Sequence, residues 1–321
     1  MHVYSITNRG LHEIKDPDLA ELWRSETREP IWVDMTGPTE TGIGLMRDVM
    51  KFHPLAIEDT VNKRQRPKID DYGSYMFHIL NPATLEDGQV LLREMDVFVS
   101  RDFIVTVHQH DEPLINEVAD LCISRHSIGK NITTGYVMYV LLDKVVDSYF
   151  PIIDAIEDEL DVIAEQVVRR PRQKSLQQLF EIRRSLAELF RVVGQQNDTL
   201  NIFMREQEHA FHDRTLAYYL RDVHDHLIRV TAMVSVLRDT LMSVVDLFFS
   251  AQSNRLNTIV QRLTFSTIAI GILTVISGFY GMNFERTWPP FSTEWGVPFA
   301  LLMMLIGAGV VIWLARRSER L

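Results

Sequence analysis

Cysteine is almost absent from this chain: Cys122 is the only one in 321 residues. An intramolecular disulfide and a thiolate zinc cluster are therefore excluded, as suits a cytosolic domain. No Gly-rich segment ends in Gly-Lys-Ser or Gly-Lys-Thr, which argues against a P-loop and ATP-driven pumping. Met1–Gly10 lacks an apolar core, so no cleavable signal peptide is expected. Low-complexity tracts and internal repeats are also missing. Basic charge is in deficit, with 33 Lys and Arg against 43 Asp and Glu and a formal net charge of −10. An acidic chain makes nucleic acid a poor partner and is compatible with cations.

Charge is missing altogether from two stretches near the C-terminus. Leu263–Asn283 and Val297–Ala315 contain no ionisable side chain, while Arg262 and Glu285 bracket the first. About 20 apolar residues span the ~30 Å hydrocarbon core as a helix. The pair therefore predicts an integral membrane protein with a short loop at 284–296. Arg255 and Arg262 precede the first span, and Arg316, Arg317 and Arg320 follow the second. The loop sets Arg286 against Glu285 and Glu294. The positive-inside rule puts both termini in the cytoplasm, in a multi-pass protein of the cell membrane. Removing the four arginines and three acids from residue 263 onward leaves 29 basic and 40 acidic residues, so the body carries −11.

Residues 1–130 read as a cytoplasmic α/β domain. Strands are expected at His2–Thr7, Ile31–Met35, Ser74–Leu80, Met95–Ser100 and Phe103–Gln109. Helices are expected at Asp18–Thr27, Thr41–Phe52, Pro54–Thr60 and Glu112–Ile128. Arg101-Asp102 reads as a two-residue hairpin turn, although it lacks Gly or Asn. Residues 131–262 change to a helical stalk. Leu141, Val145, Val146, Tyr149, Ile152, Ile153, Ile156, Leu160 and Ile163 recur at helical spacing up to Arg170. Pro171 should end that helix. A second helix is expected over Ser175–Asn197. A third starts near Thr215 and meets no Gly or Pro until Gly271. Extended to Gly281 it would be about 100 Å long, a mechanical link from the body into the bilayer.

The first span carries polar or small residues at Thr264, Thr267, Thr274, Gly278 and Asn283, with Asn257 just before it. Recurrence every three to four residues puts several on one helical stripe. Such residues also pack membrane helices. Small, hard divalent cations bind oxygen ligands and give up their waters reluctantly. A fast pathway would hold the hydrated ion by its waters, and amide or hydroxyl oxygens can do so. Glu285 and Glu294 in the loop would raise the cation concentration at a pore mouth, or simply be solvated.

Tyr280-Gly281-Met282-Asn283-Phe284-Glu285 ends the first of the two C-terminal spans. With His53-Pro54-Leu55-Ala56-Ile57-Glu58-Asp59, Gln65-Arg66-Pro67-Lys68 and Arg221-Asp222-Val223-His224-Asp225-His226, it resembles the CorA-type magnesium transporter family over nearly the whole chain. That resemblance implies a funnel-shaped homopentamer, with the first span lining a pore and the second facing lipid. It implies passive influx of Mg²⁺, or of Co²⁺ and Ni²⁺, gated by cytoplasmic Mg²⁺ and needing no organic cofactor or enzyme chemistry. Gly281, Met282 and Asn283 would form the selectivity filter. Asn257 matches a pore position, and Val260 and Leu263 match a hydrophobic constriction that gates by dewetting. Gly271 departs from the family, whose familiar members carry a bulky residue followed by Pro at positions 271 and 272. Matching by motif gives Glu58, Asp59 and Asp222 as regulatory ligands between subunits, with Asp143 a looser match. Carboxylates facing each other repel unless a cation neutralises them, so loss of Mg²⁺ would loosen the closed ring.

Two other readings stand beside this one. A zinc transporter of the same superfamily, coupled to protons, is disfavoured by Met282. A membrane-anchored sensor without transport would call for a catalytic cluster in residues 1–130, and none is apparent. His108-Gln109-His110-Asp111 and His224-Asp225-His226 could hold zinc or cobalt. His209 and His212 share a helical face without a third ligand. Structural or solvated roles fit each of these histidines better.

Overall fold

The structure, a computed structural model, describes residues 1–7, 10–15, 17–25, 29–62, 65–86, 88–109, 113–126, 132–205, 214–282 and 295–318. The chain divides into two compact units. The first comprises Met1–Glu165 and Gln173–Val244, the second Gln166–Arg172 and Val245–Leu321.

The first unit is built on a seven-stranded sheet. Its strands are β1 (His2–Thr7), β2 (Gly10–Glu13), β3 (Ile31–Thr36), β4 (Lys68–Asp71), β5 (Met76–Leu80), β8 (Met95–Val99) and β9 (Phe103–His108), ordered β2-β1-β3-β9-β8-β5-β4. Only the β3–β9 pairing is parallel within this sheet. A separate hairpin joins β6 (Ala83–Glu86) to β7 (Gln89–Leu92). The apolar strands fall where β-branched and aromatic runs place them. The four-residue β2, β4, β6 and β7 were not expected, because Gly-Leu-His-Glu or Lys-Ile-Asp-Asp shows no apolar alternation. Pairing with a neighbouring strand defines them instead.

Arg101-Asp102 does turn β8 into β9. Ser100 supplies what Gly or Asn would otherwise provide: its Oγ accepts the backbone N–H of Asp102 and of Phe103, both at 3.2 Å. Its own N–H donates to the Phe103 carbonyl at 2.8 Å.

One sheet face buries Ile31, Val33, Met35, Phe77, Ile79, Phe98, Val105 and Val107. Against it lie α1 (Leu19–Arg24), α2 (Glu40–Gly44) with the π-helical turn Leu45–Val49, and α3 (Pro54–Val61). Asp18 caps α1 and Thr39 caps α2. His53 caps α3 through its Nδ1, with Pro54 at the first helical position. Phe52 stacks on Phe98 at 4.2 Å between ring centroids.

The other face buries Trp32, Asp34, Ile104, Thr106 and His108. Trp32 Nε1 donates to Thr106 Oγ1 at 3.1 Å, and the Thr106 hydroxyl donates to Asp34 Oδ1. His108 Nε2 lies 3.0 Å from the same oxygen. These side chains satisfy one another, as buried polar groups must. His108 is thus a structural partner of Asp34.

Asp96 is buried differently. It is 3 % exposed and its Oδ1 has no hydrogen-bond partner. Burial, then the Glu94 charge, pushes its pKa well above the usual carboxylate range, against a hydrogen bond from Thr60. The native state therefore holds this proton more tightly than the unfolded chain. The stabilisation is complete below the unfolded pKa and is lost as pH rises through the folded one. Asp96→Asn should gain on the parent at pH 8 relative to pH 5, by at least about 1 kcal/mol. Thermal melts of the full chain in detergent at both pH values read this. A difference that does not change with pH contradicts it.

The helical part runs through α4 (Pro113–His126), α5 (Thr134–Asp147), α6 (Tyr149–Arg169), α7 (Gln173–Arg205), α8 (Arg214–Tyr280) and α9 (Gly296–Ser318). The nine apolar positions expected at helical spacing between Leu141 and Ile163 are all buried. They do not lie on one helix, because the chain breaks at Ser148. There Oγ accepts the Ala83 N–H and donates to the Val145 carbonyl. α6 stops before Pro171, and α7 is longer than expected at both ends. α8 has 67 residues without a break, about 100 Å at 1.5 Å per residue.

Candidate ion pathway and cation site

Positions 257, 260, 264, 267, 271, 274 and 278 step alternately by three and four residues along α8. At 3.6 residues per turn they share one stripe roughly 100° wide. Asn257, Val260, Thr264, Thr267, Gly271, Thr274 and Gly278 are all exposed on it, with Leu263 also exposed at its edge. The half-buried residues of this stretch are Gln261, Phe265, Ala269, Ile272, Ile276 and Tyr280. They form a second stripe, centred roughly 150° away.

α9 accounts for that second stripe. Gln261, Phe265 and Ala269 share a cavity lining with Val311, Ile312 and Ala315 of α9. Further along, a Cβ on Gly307 would come within 2.8 Å of Ile272 Cγ2. Glycine at 307 is what allows the helices to touch. α9 thus packs behind α8 and leaves the polar stripe open. The apolar window of α8 buries none of its residues, and α9's buries few. The core helix of a soluble protein would be covered.

The threonine hydroxyls of the stripe are already oriented. Thr264 donates to the Val260 carbonyl at 2.9 Å, Thr267 to Leu263 at 2.9 Å and Thr274 to Ile270 at 2.8 Å. With each proton committed to the backbone, the oxygen lone pairs remain as acceptors. Water bound to a divalent cation is a donor, so this is the polarity a hydrated cation needs.

The helix ends at the signature. Gly281 N–H donates to the Ser277 carbonyl at 2.9 Å, and Met282 N–H to that of Phe279 at 3.3 Å. A Cβ on Gly281 would lie 3.1 Å from the Ser277 oxygen, tighter than ordinary contact. Asn283, Glu285 and Glu294 lie outside the described residues, as do His110, His209 and His212.

The regulatory candidates fall into two groups. Glu58 and Asp59 are on α3. Glu58 is exposed and reached by Asn62 Nδ2 at 3.5 Å. Asp59 Oδ2 is 2.6 Å from Lys68 Nζ, which also pairs with Asp70 at 2.8 Å. Lys68 therefore already supplies a positive charge to Asp59. Asp143 on α5 and Asp222 on α8 form the other group. Among the described residues, no hydrogen bond or ion pair joins the two groups within one chain.

Around Asp143 the structure adds residues that the sequence did not single out as a set. Ligand atoms of Asp143, Asp147 and His226 all lie within 4.8 Å of one another. Asp143 and Asp147 are one turn apart on α5, and so are Asp222 and His226 on α8, the spacing that places side chains on one face. Burial, the Asp147 carboxylate and the Asp222 charge raise the Asp143 pKa, opposed by His226 and Lys144. The Tyr139 pKa is raised too, by burial and then by Asp143. His226 Nδ1 is buried, 3.8 Å from Asp143 Oδ1, with no hydrogen-bond partner. Two carboxylates and a ring nitrogen at this distance suit a transition-metal cation such as Co²⁺, while Mg²⁺ would use the carboxylate oxygens and water alone. His224, two residues back, instead approaches Asp225 at 3.9 Å, so the two histidines diverge as their spacing requires.

A carboxylate-bearing α/β body, continuous through one helix with a pair of exposed apolar helices, defines an integral membrane protein suited to handling cations. The chain belongs to the CorA-like Mg²⁺ transporter family, whose model matches residues 28–317. YfjQ of Bacillus subtilis is 33% identical over 318 residues, covering 98% of this chain and 94% of the relative. The cobalt/magnesium transport protein CorA of Thermotoga maritima is 28% identical over 290 residues, covering 89% and 82%. The complete structure of the CorA magnesium transporter from Methanocaldococcus jannaschii superposes with a TM-score of 0.81 at 17% identity. That match covers 99% of this chain and 97% of the other.

Proposed function

We propose that this chain assembles as a homopentamer and passes Mg²⁺, and Co²⁺ with it, down the electrochemical gradient into the cytoplasm. Five copies of the α8 stripe would line the path, with α9 facing lipid and both termini cytoplasmic. The observation that carries this reading is the open stripe of hydroxyl, amide and glycine positions on α8, a single helix that ends at Tyr280, just before Gly281. One chain's two spans cannot enclose a channel, so a pathway along α8 needs several copies. Ile228, Val236, Met242 and Phe249 are exposed on α8 before the span, and apolar surface of this kind seeks a partner.

Cytoplasmic Mg²⁺ would bind at Asp143, Asp147 and Asp222, with Glu58 and Asp59 approaching from a neighbouring subunit. The cation would offset repulsion among these carboxylates and hold the ring closed. It can bias the pore only through its different affinity for the two states.

Purified protein in proteoliposomes with an inside-negative potential tests this. Mg²⁺ uptake that falls as internal Mg²⁺ is raised is expected. Zinc uptake that follows an imposed proton gradient, without Mg²⁺ uptake, would overturn it in favour of the zinc reading. No uptake of either ion would leave a membrane-anchored sensor.

A further inference from the structure

The ends of α8's apolar run and of α9 that carry arginine lie side by side. A cavity of about 410 Å³ opens between them. Arg262 and Arg316 are among its lining residues, and Phe265, Ala269, Val311 and Ile312 form apolar walls. From Arg262 to Ala269 is about 10 Å along the helix, so the apolar part extends from the arginines into the span. We propose that this cavity holds an anionic phospholipid of the cytoplasmic leaflet, its phosphate between the two guanidinium groups and the start of an acyl chain along the apolar walls.

The chemistry favours an amphiphile over a soluble anion. Guanidinium groups bind phosphate oxygens in pairs, and basic pockets between spans on the cytoplasmic side suit lipid headgroups. A free phosphate would use the arginines and leave the walls unused. Arg317, next to Arg316, lies over the Trp313 ring at 5.4 Å. Trp with Arg at the end of a span marks the headgroup level. Arg169, Arg170 and Arg255 line a second cavity in the same unit, which adds to the positive field on this side. The inference rests on the membrane topology proposed above and does not require conduction.

The test uses the full chain in nanodiscs of phosphatidylcholine with a minor fraction of phosphatidylglycerol. Mass spectrometry of the intact assembly after return to detergent counts the lipids retained. Phosphatidylglycerol should be held roughly tenfold or more over phosphatidylcholine, from about one step of affinity per arginine. Arg262→Gln with Arg316→Gln should abolish that preference, and the corresponding Lys pair should keep part of it. If the double variant fails to assemble, Arg316→Gln alone, at the exposed end of α9, should still lower the preference. Equal retention of the two lipids by the parent chain would overturn the proposal. So would undiminished phosphatidylglycerol retention in the Gln variants, or its full displacement by inorganic phosphate. Retention without Mg²⁺ uptake in the liposome assay would instead count against transport and leave the lipid site standing.

Discussion

Asn283→Ala is expected to lower Mg²⁺ uptake at least roughly tenfold at low external concentration, with the assembly intact. Mg²⁺ keeps its inner waters tightly, so an entrance that demanded dehydration would be slow. In the proposed filter the amide oxygen of Asn283 would accept hydrogen bonds from those waters without binding the bare ion. Hydrogen bonds to groups polarised by charge are worth about 1.5–3 kcal/mol, and a ring loses several at once. Alanine offers no acceptor. Uptake in proteoliposomes, normalised to assembled protein, measures the loss. Uptake equal to the parent would remove Asn283 from the filter and revive a non-conducting role.

Asp143→Asn combined with Asp222→Asn should leave uptake intact and blunt its suppression by internal Mg²⁺. The concentration giving half-suppression should rise at least roughly tenfold, since the pair removes two full charges near the cation, that of half-buried Asp143 and that of exposed Asp222. A pH dependence accompanies this. Because burial and neighbouring acids raise the Asp143 pKa, its proton competes with the cation at higher pH than at an ordinary aspartate. Suppression should therefore weaken as pH falls from 8 to 6, and the double variant should lose most of that trend. Suppression curves that coincide for parent and variant would place the sensor elsewhere. Asp59 is a weaker lever, because Lys68 already balances it.

Much of this was legible in the sequence, for identifiable reasons. A charge-free run of about 20 residues has few physical interpretations, and the absence of Gly and Pro made α8 readable as one helix over most of its length. Strands β3, β8 and β9 announced themselves through runs such as Ile104-Val105-Thr106-Val107, which belong to a sheet covered on both faces. The break at Ser148 had a local signal that the apolar periodicity overrode: Pro151 has no N–H to return to the Asp147 carbonyl, and the Ser148 hydroxyl bonded to Ala83 adds a tertiary contact there. The union of Asp143, Asp147 and His226 was hidden because it is tertiary. Each pair on its own helix is ordinary, and only the packing of α5 against α8 brings them within reach. The salt bridge from Lys68 to Asp59 likewise crosses from β4 to α3. What sequence periodicity does carry is the stripe on α8, and the packing of α9 behind it adds the direction in which that stripe is open.

That direction is the central claim, and cysteine accessibility tests it most directly. The single native Cys122 is buried in the first unit, so introduced thiols can be read against a quiet background. Val260→Cys, Thr267→Cys and Gly271→Cys place a thiol on the open stripe, while Phe265→Cys and Ala269→Cys place one on the α9 side. A small charged, thiol-specific reagent should block Mg²⁺ uptake through the first three and leave the other two conducting. Block confined to Phe265→Cys and Ala269→Cys, or equal block at all five positions, would contradict a pathway along this face of α8.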